Sequence, residues 1–163
     1  MRPTNNNNNN NNTPEVLEAL ATEFDEERDG PLLRKLWSLG HAALAEDEED
    51  DEEAPVVRHT PPPFERTSER WTQLGFQRDD PVSDLRGGGV LALRNLVRFL
   101  ESQPQFANAV LRSRVPQKEF DPRGFYPFAA AGVNMTKVVA DLGPLEDFDE
   151  CYALAFRLLD RNF

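Results

Sequence analysis

Arg86 stands between Asp84 and three consecutive glycines, Gly87, Gly88 and Gly89, with Asp80 and Pro81 just upstream. A guanidinium is always charged and presents a planar fork of donors, which suits it to gripping a carboxylate or to stabilising negative charge on a partner. Paired with Asp84 or Asp80, Arg86 would tie down its own loop, and residue types alone favour that fold device. The glycines suit the other use, because without side chains to screen the backbone they let a partner surface approach closely. Other chemistry is thinly represented: the sequence holds no nucleophile–base pair, no P-loop and no metal-ligand cluster. His41 has no second His or Cys at ligand spacing, so it reads as a surface or cap histidine and not as a zinc ligand. Cys151 falls in an apolar periodic run, which points to a buried, inert thiol.

The elements that must position Arg86 are a Trp-bearing segment before it and a core helix after it. Ser68 caps a short helix carrying Trp71 and Leu74, Gly75 stops that helix, and Phe76 turns back toward the core. Trp71 and Phe76 are packing anchors, since aromatics act mostly through buried area. Gln77 reaches backbone groups of the following loop and holds its shape. Asp80-Pro81 reads as a cap followed by the first helical position, because Pro lacks an N–H that the first turn leaves unpaired anyway. Beyond the glycines, Val90, Leu93, Leu96, Val97 and Leu100 recur at helical spacing, with Arg94 and Arg98 on a shared polar face.

The rest of the chain frames this stretch. Residues 1–14 run through eight asparagines and form a polar, low-complexity tail expected to be disordered. Thr13 caps a short acidic helix that opens at Pro14. Gly30-Pro31 is expected to break the chain before an amphipathic helix over residues 32–45, lined by Leu32, Leu33, Leu36, Leu39, Ala43 and Leu44 with Trp37 at its edge. The acidic run EDEEDDEE and the prolines after it form an insertion loop over residues 46–63. That loop is solvated and self-repelling, with long-range steering of a basic partner as a lesser role; it lacks the Gly-bearing turn of a calcium loop. Three more helices follow, over residues 105–114 with Phe106, Ala109, Val110 and Leu111 inward, over 126–143, and over 148–159. In the second of these Phe128, Gly132, Met135, Val138 and Val139 are available for packing, while buried Asn134 and Thr136 need hydrogen-bond partners.

The 163 residues, 39% of them hydrophobic, amount to one domain with enough apolar material for a core. A formal net charge of -11 argues against nucleic acid and against anionic membrane surfaces. One cysteine excludes an internal disulfide framework and fits a reducing compartment. With no secretory segment and no membrane-length apolar run, the expectation is a cytoplasmic protein without direct membrane insertion. The fold class expected is all-α, a single helical domain of about six helices over residues 15–163.

One pattern is more specific than any of this. Trp71, Gly75, Phe76, Gln77, Pro81, Asp84, Arg86, Gly87, Gly89, Leu93, Asn95, Leu96 and Phe99 spell W-x3-G-F-Q-x3-P-x2-D-x-R-G-x-G-x3-L-x-N-L-x2-F. This closely resembles the signature of the ELMO (engulfment and cell motility) domain family. Ala129, Gly132, Asn134 and Thr136 match a second family pattern, and an L-x2-L-W segment precedes the signature. The resemblance covers residues 30–163, with Leu85 where Phe is usual and with the acidic insertion lengthening a shorter link. Family members continue with further helices where this sequence stops at Phe163, which fits either a minimal version of the domain or a fragment.

What the resemblance implies is a regulator and not an enzyme with a substrate of its own. ELMO-domain-only proteins are GTPase-activating proteins for Arf-family and Arf-like small GTPases, with the signature Arg as the proposed finger delivered in trans. Carried over, Arg86 is the catalytic residue, and Gln77, Asp84 and Gly87 shape its loop. Trp71, Gly75, Phe76, Pro81, Gly89 and Asn95 complete the partner-binding and loop-shaping set. No cofactor is implied, since nucleotide and magnesium belong to the partner, which can also recruit the chain to organelle membranes. The alternative is a non-catalytic scaffold working with a Dock-type exchange factor in Rac signalling, as in larger relatives. Those relatives carry repeats and a pleckstrin-homology domain absent here, and tend to lack the Arg.

Overall fold

A computed structural model describes residues 14–45, 60–113, 127–142 and 148–161. Among them the chain forms α1 (Pro14–Ala21), α2 (Glu26–Ala45), α3 (Arg70–Gln73), α4 (Val82–Leu85), α5 (Gly89–Ser102), α6 (Pro104–Ser113), α7 (Phe128–Asp141) and α8 (Phe148–Arg161). No strand occurs among the described residues, and six of the helices are eight residues or longer. The all-α expectation is borne out. The Asn tract, the Thr13 cap, the acidic run and residues 114–126 lie outside the described residues.

The centre is α5. Its apolar spacing is so dense that only Arg94, Arg98, Glu101 and Ser102 are exposed, and it touches α1, α2, α4, α6, α7 and α8. Leu93, Leu96 and Val90 are fully buried there, each contributing roughly 1.5–3 kcal/mol of transfer free energy. Phe99 stacks on Phe156 at 4.7 Å between ring centroids and meets Phe106 and Tyr152 edge-on. On the other flank Trp37, Trp71 and Phe76 form an edge-to-face series, 4.7 Å and then 5.4 Å between centroids. Both indole N–H groups find carbonyls in the segment before α3: Trp37 donates to Pro62 at 2.8 Å and Trp71 to Glu65 at 3.1 Å. These two bonds pin residues 62–65 across the core.

Gly30-Pro31 does not break the chain. The helix α2 begins at Glu26 and runs through Pro31. Asp25 Oδ1 accepts the Arg28 N–H and Asp29 Oδ2 accepts the Asp25 N–H, both at 2.9 Å. This reciprocal cap fixes the first turn ahead of the proline, and burial of Leu33, Leu36 and Trp37 beyond it outweighs the one hydrogen bond that Pro31 cannot donate. Trp37 is therefore central and not at the edge of its helix. His41 is also buried, its ring 4.4 Å from that of Trp37, and is neither a surface nor a cap residue.

Tertiary contact also decides which side of the other helices is inside. Ala107 and not Ala109 faces the core of α6, and Val138 of α7 is exposed. Asn134 is exposed as well, whereas its neighbour in the pattern, Thr136, is fully buried. Cys151 is half-buried. Pro127 takes an extended conformation and marks the start of α7 two residues later than Tyr126.

Candidate functional site

Three short pieces build the loop that carries Arg86. The first is the end of α3, where Gly75 adopts a φ of +86°. Its N–H reaches the Thr72 carbonyl at 3.0 Å and the Phe76 N–H reaches that of Trp71 at 3.2 Å, the paired bonds of a helix terminating in a left-handed glycine. Phe76 is thereby folded into the core. The carbonyls of Leu74 and Gly75 then accept the N–H groups of Ala129 and Ala130, each at 3.1 Å, so the turn also caps the first turn of α7. A β-carbon on Gly75 would stand 2.4 Å from the Phe128 nitrogen.

The second piece is the turn into α4. Asp80 Oδ1 accepts the Val82 N–H at 2.9 Å and so holds the turn into α4, but buried Pro81 takes the N-cap position and the helix begins one residue later than the sequence predicts. The same carboxylate is gripped by Arg66 at 2.7 Å, and Arg66 also holds Glu26 at 2.9 Å. Burial pushes the Asp80 carboxyl up, but the Arg66 hydrogen bond, the Val82 N–H and the Arg66 and Arg86 charges outweigh it and hold Asp80 below its ordinary value. Asp84 Oδ2 accepts the backbone N–H of Gln77 at 2.6 Å. It is thus the Gln77 backbone that ties the loop; its side chain is exposed and makes no hydrogen bond among the described residues.

The third piece is the triple glycine. Gly89, at a φ of +56°, lies against the end of α1: a β-carbon there would stand 2.3 Å from the Leu20 carbonyl oxygen. Val90 donates to the Thr22 carbonyl at 2.9 Å beside it. Gly88 is buried against Ala92 and Val133. Gly87 alone is open, with nothing within 4 Å of a β-carbon. Two of the three glycines therefore serve contacts inside the domain, and one leaves the backbone accessible.

Arg86 ends α4 and is exposed. Among the described residues it forms no hydrogen bond or ion pair, although its charge reaches Asp80. Both carboxylates that could have tied it down are engaged elsewhere, Asp80 by Arg66 and Asp84 by Gln77. The clamp that sequence reasoning assigned to Arg86 belongs to Arg66, a residue with no periodic or motif signal to mark it.

The other site residues divide accordingly. Gln77, Arg86 and Gly87 share the exposed loop. Trp71, Phe76 and Pro81 are buried beneath it, and Gly75 and Gly89 are points of close backbone approach. Asn95 lies deep between α5 and α7, where its amide donates to Thr136 Oγ1 at 3.0 Å and that hydroxyl donates to the Gly132 carbonyl at 3.0 Å. The Tyr152 hydroxyl comes close to Thr136 without completing a hydrogen bond, and burial pushes the phenol far above its ordinary value. No group of three potential metal ligands occurs among the described residues. A groove of about 520 Å³ runs between α1, α2 and α5 past Lys35, Arg94 and Glu101, and Arg86 is outside it.

The model of the ELMO/CED-12 family matches residues 15–163, nearly all of the chain. The chain belongs to the ELMO/CED-12 family. Among curated proteins, ELMO domain-containing protein B of Dictyostelium discoideum is 34% identical over 112 residues, 60% of this chain and 37% of that protein. Human ELMO domain-containing protein 2 is 38% identical over 77 residues, 47% of this chain and 25% of that protein. ELMO domain-containing protein 1 of Bos taurus is 34% identical over 140 residues, covering 78% of this chain and 38% of that protein. The matched stretch thus spans about a quarter to two fifths of the length of these three relatives. No solved structure matches it. For the ELMO domain itself, the structure gives the signature a physical reading: most of its fixed positions build and cap the junction of α3, α5 and α7, and few reach the surface. No helix among the described residues is long and apolar enough to cross a membrane.

Proposed function

We propose that this ELMO domain is a GTPase-activating module for small GTPases of the Arf and Arf-like families, delivering Arg86 into the partner's nucleotide site. The observation that carries the reading is the idle guanidinium: Arg86 is exposed, unpaired among the described residues, and mounted on a loop whose ties are made by other side chains. A structural arginine would be spent on Asp80 or Asp84. An arginine held ready for a partner needs a fixed base and a free head, and Arg66, Asp80 and Asp84 supply the base. In trans such a guanidinium neutralises charge that develops on the transferring γ-phosphoryl group. Open Gly87 beside it leaves room for the partner's surface.

The chain would contribute no metal or nucleotide of its own; both sit in the GTPase. The test is single-turnover GTP hydrolysis by a panel of Arf-like and Rho-like GTPases with the folded chain added. Stimulation of an Arf-type member is the expected result. A folded chain that stimulates no member would leave a non-catalytic scaffold that works with a Dock-type exchange factor as the better account.

A further inference from the structure

Most signature residues have a task inside the domain, and two of the exposed exceptions, Arg86 and Asn134, stand within two residues in sequence of one packing contact. Gly88 rests on α7: a β-carbon there would stand 3.5 Å from both Cγ1 and the carbonyl oxygen of Val133. Arg86 is two residues before that contact, and Asn134 is one residue beyond it on the partner helix. Asn134 is exposed and its amide makes no hydrogen bond among the described residues, unlike Asn95 and Thr136, which are buried and bonded to each other. Lys137 follows on the same side, three residues from Asn134 and four from Val133, which is the spacing of neighbours on a helix surface. It too is exposed and without an ion pair among the described residues. Asp141, one further turn along, is the acidic group nearest in register on that face.

We infer that Asn134 and Lys137 of α7 extend the Arg86–Gly87 corner into a single docking face for the phosphate-bearing side of a nucleotide-loaded GTPase. The inference rests on the proposed function and names the second element of that same site. Charge complementarity selects the occupant. On a chain of net charge -11, Arg86 beside the open Gly87 and Lys137 beside Asn134 are two exposed cations without an ion pair among the described residues. Such an arrangement suits a negatively charged rim around bound phosphates and would repel an acidic surface least where Arg86 must enter. Arg86 acts on the chemistry; Asn134 and Lys137 position the partner, and Lys137 adds long-range attraction that salt screens.

The experiment measures stimulated GTP hydrolysis against chain concentration at two ionic strengths, for wild type, Asn134→Ala/Lys137→Glu and Lys137→Arg. The double variant is expected to raise the half-saturating concentration about tenfold while leaving the maximal stimulated rate within about twofold, and to flatten its dependence on salt. Lys137→Arg keeps the charge and is expected to behave as wild type. If wild type stimulates a GTPase and the double variant saturates at the same concentration with the same salt dependence, α7 is not part of the docking face and the role of Arg86 stands. A wild-type chain that stimulates nothing overturns both.

Discussion

The Gly75 carbonyl accepts the Ala130 N–H at 3.1 Å, so the turn that ends α3 is also the cap that begins α7. Helix N-termini leave four N–H groups without intrahelical partners, and here the backbone of a distant turn satisfies two of them. The two stretches that carry the family resemblance are joined by this contact, and the Arg86 loop leaves from it.

Replacing Gly75 by alanine should therefore be costly. The new β-carbon would meet the Phe128 nitrogen at 2.4 Å, and a φ of +86° disfavours any L side chain. A destabilisation of about 1–3 kcal/mol is expected in denaturant unfolding. Gly87→Ala meets nothing within 4 Å and should stay within about 0.5 kcal/mol of wild type. Equal losses at the two positions would contradict this assignment.

Thr136→Val removes the acceptor of the Asn95 amide while keeping side-chain volume. A buried donor left unpaired costs about 1–3 kcal/mol, whereas Thr136→Ser, which keeps a hydroxyl, should cost clearly less. Chemical denaturation of the three proteins side by side reads the difference.

Burial beside Trp37, with a smaller contribution from Arg70, lowers the His41 pKa from 6.5 to about 4. The folded state holds this histidine neutral, and the unfolded chain takes up the proton first. Its contribution is complete above pH 6.5 and is lost as pH falls from there toward 4, an effect of about 3 kcal/mol. The lowered carboxyls Asp29 and Asp80 act in the same direction, but only around and below their ordinary value of 3.8. His41→Gln should flatten the stability profile between pH 6.5 and 4. An unchanged slope in that variant would show that another group governs it.

Arg66→Ala removes the clamp between Glu26 and Asp80. Partly exposed pairs of this kind are worth about 1 kcal/mol or less, so the domain should stay folded. The loop carrying Arg86 loses one of its ties, and stimulated hydrolysis should fall about tenfold, far less than on removing Arg86 itself. An effect as large as that of Arg86→Ala would mean that Arg66 does more than position the loop.

The sequence makes the frame of the site legible and its wiring much less so. Spacing alone locates α5, because Val90, Leu93, Leu96, Val97 and Leu100 repeat at the period of a helix face. Gly75 as a helix stop is local chemistry and stands in the structure, and Asp80 still accepts an N–H of the first turn, one residue ahead of the N-cap at Pro81. Leu85 stays buried, as an apolar replacement for an aromatic should. Pro31 misleads because its local penalty is overridden by the reciprocal Asp25–Asp29 cap and by the burial of Trp37. His41 and Asn134 change places between surface and interior because helix rotation is set by neighbours far away in sequence. The Arg66–Asp80 clamp spans fourteen positions without a periodic signal, so only three-dimensional contact reveals that Arg86 is left without a hydrogen bond or ion pair among the described residues.

That freedom is the central claim, and one comparison tests it most directly. Single-turnover GTP hydrolysis by a responsive Arf-type GTPase would be followed with wild type and with Arg86→Ala at saturating concentration, alongside thermal unfolding of both. Because Arg86 is exposed and unpaired among the described residues, the variant should unfold at the wild-type temperature. Its stimulation should drop by roughly three to five orders of magnitude, the span that a trans arginine supplies. A folded variant that still stimulates hydrolysis would contradict the account.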